Sequence, residues 1–384
     1  MPDSRNTPPS VLHIDTEMTW RGGEQQMLYL ASGLAARGWR SEAACRPGSA
    51  ALERCAAAGI AAHKVQMRGE WDLPAARKIA TIASGKHFDI LHAHTAHAVV
   101  LGGMAARMAR PRPLTVAHRR IDYSIHKLPL RLSLLKYLHC ADHFIAVSGA
   151  VKRVMISDGV PEERISVVHS STDPSRFTPD KVKPDPALRA ALGIPPAVPV
   201  VGNVGYLVSH KAQNFLLDAF AVALRQVPDA HLLIIGEGNL RADLVAQARR
   251  LGIADRVHLP GFRKDVPQLL GLMDVFALSS WAEGTPGTLC EAACARVPIV
   301  TTDAGGIPEL IRDGQNGIMV PCRDSASLAR GITTLLTNRT LAAKYAEESY
   351  RTVTEDFCAE KLVEKTVAVY KRLLGDAAYG VAEA

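Results

Sequence analysis

The chain has 384 residues, 47% of them hydrophobic and 22% charged, with a formal net charge of +7. That composition excludes a disordered chain, and the length exceeds what one hydrophobic core ordinarily serves, so two domains are expected. No apolar run reaches the length of a membrane span, and the polar start MPDSRNTPPS carries no secretory signal, so a cytoplasmic protein is expected.

The strand-forming segment Val11-Leu12-His13-Ile14 comes first, then a loop from Asp15 to Gly23 that ends in Gly22-Gly23. Glycines there let backbone N–H groups approach a phosphate; the alternative is a plain tight turn. Met27, Leu28, Leu30, Ala31, Leu34 and Ala35 follow at helical spacing, with Gly38 as the stop. Strands are expected near 41–45, 62–66, 89–93, 114–118, 143–147 and 165–169. Helices are expected near 49–58, 72–84, 97–109, 131–140 and 149–158. Such alternation implies a parallel sheet covered on both faces.

His92, His94 and His97 cluster at the end of one of these strands, and His118 ends another. His92 and His94 share a strand face, and no Asp or Cys completes a ligand set nearby, so hydrogen bonding is expected rather than a metal. His118 suits either a substrate hydroxyl or an ordinary strand-end role. The segment from Arg119 to Leu138 has five basic residues, one acid and many leucines, which fits a membrane surface or a core-facing helix with a basic outer face.

Charge is divided unevenly. Residues 1–177 carry 23 Lys and Arg against 15 Asp and Glu, a surplus of 8, while residues 178–384 carry 22 against 23. Nucleic acid is not expected as a partner, because aromatics are sparse and no nucleic-acid motif occurs. An anionic membrane surface or an anionic acceptor accounts for the basic half. The seven cysteines, with no C-x-x-C among them, read as reduced thiols without structural zinc.

Residues 171–199 hold seven prolines and no long apolar run, and read as the domain linker. A second alternation starts at Pro199, with strands near 199–204, 231–235, 257–259, 274–278, 298–302 and 317–320. Helices are expected between them and at 325–337, 341–353 and 359–374. Gly202 to Lys211 is a strand running into a loop that ends in lysine, a cation able to meet a diphosphate. Gly236 ends the next strand. Thr301 to Glu309 again reads strand, glycine loop, helix, with Pro308 suited to a first helical turn.

The stretch WAEGTPGTLCE, Trp281 to Glu291, is the most informative. Glu283 lies on a loop after an apolar strand, and Glu291 about one turn into a helix beginning near Gly287. Between them the helix N-terminus offers free N–H groups and a positive dipole end, an anion site flanked by two hydroxyl acceptors. A nucleotide sugar has hydroxyls at both ends and phosphate in the middle. No Asp-x-Asp, Gly-x-Ser-x-Gly elbow or P-loop occurs.

Taken together and in this order, these motifs resemble those of the retaining glycosyltransferases of family 4. The resemblance covers nearly the whole chain and is densest from 199 to 322. It implies the GT-B fold: two Rossmann-like domains facing a cleft, with the last helix crossing back to the first domain. The expected division is 1–175, an acceptor-side domain; 176–358, a nucleotide-sugar domain; and 359–384, the returning helix. Glu283 and Glu291 match the family's Glu-x7-Glu, Lys211 its second-domain lysine, and Gly305 to Glu309 its Gly-Gly-x-Pro-Glu. Gly22-Gly23 and His118 match the first-domain motifs.

The resemblance implies roles. Glu283, Lys211 and His118 would be catalytic. Gly22, Gly23, Tyr206, Gly236, Arg263, Gly287, Thr288, Leu289, Glu291 and Glu309 would bind the donor, Glu291 through the ribose hydroxyls. Transfer would retain anomeric configuration, with no cofactor and no metal. The expected donor is UDP-linked and the acceptor a glycan or lipid-linked molecule of the cell envelope, with the enzyme peripheral at the inner face of the cytoplasmic membrane. One departure stands out: Tyr206 occupies the place of the family's usual arginine, which leaves Arg21 or Arg263 to replace it, or leaves a weakly active homologue. A sugar-nucleotide epimerase of the same fold is the other alternative.

Overall fold

The computed structural model describes residues 9–120, 124 and 132–375. The chain forms two compact units, one of residues up to Ser170 together with those from Ala359 onward, the other Ser171–Cys358.

The first unit is built on seven strands: β1 Ser10–Asp15, β2 Arg40–Cys45, β3 Ala61–Lys64, β4 Ile90–Ala93, β5 Leu114–Arg119, β6 His143–Ala146 and β7 Ile165–Val167. They pair in the order β3-β2-β1-β4-β5-β6-β7, all parallel. Parallel strands need a crossover each, and the intervening helices supply it, burying both faces. Leu12 and Ile14 pack on one face against Phe88, Val99, Leu101 and Phe144. Val11 packs on the other against Ile90, Val116 and Ile145.

That second face is closed by the last helix, Ala359–Leu374, through Leu362, Val363, Val369 and Tyr370. It lies against the first helix, Gly22–Ala36, so closely that a Cβ on Gly33 would stand 2.4 Å from Val363 Cγ2. Arg372 in the last turn donates to Ser166 Oγ at 2.8 Å.

The second unit has six parallel strands: β8 Val200–Val204, β9 His231–Ile235, β10 Val257–Gly261, β11 Val275–Leu278, β12 Ile299–Thr302 and β13 Ile318–Val320. Their order is β10-β9-β8-β11-β12-β13. One face packs Phe276, Leu278 and Leu289 with Phe177 and Ile194; the other packs Val201, Phe220, Val275 and Val300. In both sheets the order reverses beside the first strand, between β1 and β4 and between β8 and β11. Open α/β sheets bind ligands at the carboxyl ends of strands at such a reversal.

The strands observed coincide with those read from the sequence. Three readings need correction. Gly22 and Gly23 are not loop residues but open the first helix. Pro308 and Glu309 do not begin an α-helix; Ile307–Glu309 is a single 3-10 turn. The proline-rich stretch 171–199 is more than a linker, because it contains the helix Pro186–Ala191 and buries Phe177 and Ile194 in the second core. Of the basic segment 119–138, residues 121–123 and 125–131 lie outside the described residues.

No helix among the described residues is long and apolar enough to cross a membrane.

Candidate active site

In the second unit, two loops meet at the reversal between β8 and β11. The loop after β8 ends in a 3-10 turn, Ser209–Lys211, and Ala212, at φ 52°, turns the chain into the helix Gln213–Ala223. The loop after β11 carries Ser279, Ser280 and Glu283 and runs into the helix Gly287–Cys294. Lys211 Nζ donates to Glu283 Oε1 at 2.6 Å, and Ser280 Oγ donates to the same oxygen at 2.7 Å. Ser279 Oγ donates to the Lys211 carbonyl at 3.0 Å. From the other side, Thr302 Oγ1 donates to the Ser280 carbonyl and the Gly306 N–H to the Glu283 carbonyl. Glu283 is buried and held on three sides. A nearly dry ion pair with extra hydrogen bonds is rigid, and removing either partner strands the other charge.

Helix Gly287–Cys294 has no side-chain cap on its N-terminus. Thr288 Oγ1 there is buried without a partner. Leu289 has its side chain in the core, and its N–H bonds the Pro286 carbonyl at 3.1 Å. Glu291 stands beside Arg176 at 3.5 Å; burial pushes its carboxyl up, and the Arg176 charge pulls it back. Arg176 also lines a cavity of about 420 Å³ with Lys181, Lys264 and Asp265.

Four further expected donor residues, Tyr206, Gly236, Arg263 and Glu309, lie in the second unit. Gly236 follows β9 with φ 144°, and a Cβ on it would sit 1.9 Å from the Gly205 carbonyl oxygen, so only glycine fits. Tyr206 is exposed on the loop that leads to Lys211, its carbonyl taken by Gln213. Arg263 is held by Asp265 through Nε at 2.8 Å and Nη2 at 2.5 Å. Glu309 is half-buried after the Gly305-Gly306 turn.

In the first unit the carboxyl ends of β1, β4 and β5 gather four buried histidines: His13, His92, His94 and His118. His92 stacks on His118 with centroids 5.4 Å apart. Sequence reasoning weighed three histidines of the 92–97 run and missed His13, which arrives from β1; its only signal was a polar residue inside an apolar strand. His13, His92 and His94 present ligand atoms within 4.8 Å of one another. Their hydrogen bonds set the tautomers. Arg120 can only donate, so His94 Nδ1 accepts at 3.2 Å and its other nitrogen carries the proton. His94 Nε2 then donates to His13 Nδ1 at 2.9 Å, and His13 Nε2 to Ser41 Oγ at 3.2 Å. His13 and His94 thus have both ring nitrogens engaged, whereas His92 Nε2 is buried with no hydrogen-bond partner among the described residues. Burial pushes His13 down to about 3 and holds His92, His94 and His118 well below the usual range, so all four rings are neutral at pH 7.

His92 Nδ1 is 2.5 Å from Tyr370 Oη, which ties the last helix to this cluster. Next to it, Asp15 is wholly buried, and Gly23 packs against Arg120, its would-be Cβ 3.4 Å from Arg120 Nε. The Arg21 N–H donates to Glu24 Oε2 at 2.6 Å, closing the helix start.

Comparison with known proteins identifies the family. Residues 20–176 match the family described as Glycosyltransferase Family 4, and residues 184–352 that described as Glycosyl transferases group 1. The lipopolysaccharide core biosynthesis glycosyltransferase LpsE of Rhizobium meliloti is 30% identical over 236 residues, 62% of this chain and 65% of that one. The N-acetyl-alpha-D-glucosaminyl L-malate synthase of Bacillus anthracis is 28% identical over 312 residues, 80% of each chain. Among solved structures, Anabaena HepE in complex with UDP and glucose superposes with a TM-score of 0.82 at 24% identity, covering 95% of this chain and 100% of that one.

Proposed function

The chain belongs to the family 4, group 1 glycosyltransferases of the GT-B fold, and on that premise we propose that it moves a sugar from a UDP-linked donor to a glycan or lipid-linked acceptor of the cell envelope, with retention and without a metal. The observation that carries the reading is the Lys211–Glu283 pair, set 2.6 Å apart by two loops at one strand reversal and followed by an open helix N-terminus.

Each residue has a task that its chemistry suits. Glu291 accepts hydrogen bonds from the ribose hydroxyls, exchanging its ion pair with Arg176 for them. Gly287 and Thr288 turn their N–H groups on the diphosphate, and the dipole end supports its charge. Lys211 adds a point charge where the leaving phosphate gains charge, and Glu283 takes hydroxyls of the transferred sugar. The bond from the anomeric carbon to the phosphate oxygen breaks as the acceptor oxygen bonds to the same face. The acceptor's proton passes to the departing phosphate. Most of the rate gain under this reading is orientation and electrostatic stabilisation. His118, neutral and stacked on His92, is suited to a hydroxyl contact rather than to proton transfer near pH 7. LpsE's named role in lipopolysaccharide core biosynthesis supports a cell-envelope acceptor, and the basic first half supports an anionic one held at a membrane surface.

One observation favours a second reading. Tyr206 supplies no charge, and Arg263 is spent on Asp265. A chain short of diphosphate ligands could bind nucleotide without turning it over. Thermal-shift titration with UDP, GDP, ADP and CDP, followed by slow donor hydrolysis without acceptor, separates the two. UDP-selective stabilisation with hydrolysis is expected. Stabilisation with no hydrolysis and no transfer supports the second reading, and no stabilisation by any nucleotide overturns both.

A further inference from the structure

Trp281 is one of four tryptophans in the chain and the only one in the second unit, and it lies two residues before Glu283. A large apolar side chain at the surface is ordinarily free to turn. This one is not. Its indole Nε1–H donates to the Ser209 carbonyl at 3.0 Å, and its backbone N–H donates to the His210 carbonyl at 2.9 Å. The His210 ring meets the indole edge-on, with centroids 6.5 Å apart. The polar handle of the indole is thus satisfied inward, on the turn that carries Lys211, while 38% of the residue stays exposed. The Arg323 guanidinium stands over the ring at 5.4 Å. Arg323 is a non-glycine residue at φ 63°, a costly backbone conformation that the fold nonetheless maintains beside this ring.

We propose that the exposed indole of Trp281 is a stacking platform for a pyranose ring, with Arg323 placed to hydrogen-bond a hydroxyl or carboxylate at that ring's rim. A sugar ring has an apolar C–H face and a polar perimeter. A rigid aromatic surface beside planar donors and a carboxylate matches both parts at little entropic cost. The proposal rests on the reading of the Glu283 loop as the donor site. The ring it receives comes from one of two sources, the sugar being transferred or the acceptor's terminal sugar.

Intrinsic fluorescence of the full chain tests this, with isothermal calorimetry for the affinities, Trp281→Phe and Trp281→Ala as variants and their melting temperatures as a folding control. UDP is titrated first, then UDP-glucose, UDP-galactose and UDP-N-acetylglucosamine. Then UDP-saturated protein is titrated with the methyl α-glycosides of the same sugars. The expected result is ring-dependent quenching that Trp281→Ala abolishes, with affinity for the ring-bearing ligand falling about tenfold and UDP affinity unchanged. Trp281→Phe keeps most of that affinity, because the ring face remains. An effect in the UDP-sugar arm assigns the platform to the transferred sugar, and an effect in the glycoside arm assigns it to the acceptor. Trp281→Phe as weak as Trp281→Ala overturns the platform, since only the Nε1 bond to Ser209 would then matter. Normal UDP binding with neither arm sensitive to Trp281 also overturns it. No UDP binding by the parent chain removes the donor-site reading itself, and the proposal with it.

Discussion

Lys211 and Glu283 are 72 positions apart in the chain and 2.6 Å apart in the fold, with Ser280 Oγ donating to the same Glu283 oxygen and Ser279 Oγ to the Lys211 backbone carbonyl. Two side chains locked in this way act as a unit. Lys211→Met and Glu283→Gln should each lower kcat by about 10²–10³-fold. The double variant should lose little more than either single one. Steady-state kinetics on all four proteins checks the coupling; additive losses, or full activity in either single variant, count against the assigned roles.

Turnover should survive saturating EDTA. Under the proposed function the positive field at the diphosphate comes from Lys211 and the N-terminus of helix Gly287–Cys294, neither of which a chelator removes. Activity lost to EDTA and restored by one divalent ion would show that an ion does that work instead.

Asp15 makes stability depend on pH. Burial, reinforced by the nearby Glu24, pushes its carboxyl from 3.8 up to about 7. A raised acid holds its proton more tightly in the folded chain than in the unfolded one. Its contribution is therefore complete below about pH 4, declines as pH climbs through 7 and is flat beyond. The decline is capped at roughly 4 kcal/mol. Thermal melts of Asp15→Asn should lack the fall that the parent shows between pH 5 and 7.5. An identical slope in both would mean that Asp15 is ionised throughout.

Gly33→Ala should destabilise the first unit without touching nucleotide binding. The added methyl would meet Val363 at 2.4 Å, and overpacking of this kind costs about 1–3 kcal/mol. Denaturant melts measure the loss, and UDP titration of the same protein shows whether the second unit is spared. Val363→Ala should recover part of the stability if the clash is the cause.

Tyr370→Phe removes a hydroxyl that bonds His92 Nδ1 at 2.5 Å, and His92 Nε2 already lacks a partner. Leaving the ring with no bond at either nitrogen should cost about 1–3 kcal/mol. Equal stability in Phe and Tyr forms would show that the ring finds another partner.

The alternation of strands was legible because parallel strands covered on both faces are written as short apolar runs between amphipathic helices. The placement of Glu283 on a loop and Glu291 inside a helix was legible for a local reason: an apolar strand, a Gly-Pro loop and a helical run follow one another within a few residues. What escaped were contacts made by topology. Nothing near Leu12 or Ile14 says that His13 will meet His94, because that pairing depends on β1 and β4 being neighbours. Tyr370 reads as one more apolar position on an amphipathic helix until the helix is placed over His92. Gly22 and Gly23 read as the end of a loop that brings backbone to a phosphate; they open the helix instead, at a first turn where the glycine penalty is small.

The returning helix also has a meaning for how the protein is made. Val11, Ile90, Val116 and Ile145 leave the ribosome long before their covering partners, Leu362, Val363, Val369 and Tyr370. During synthesis the second unit, whose chain is continuous from Ser171 to Cys358, emerges whole while the first still shows a bare apolar face. A nascent chain stalled anywhere before Ala359 would hold that greasy surface open to chaperones and to its neighbours. A nonsense codon at the position of Ala359 should therefore yield an insoluble product, although it leaves Lys211 and Glu283 in place.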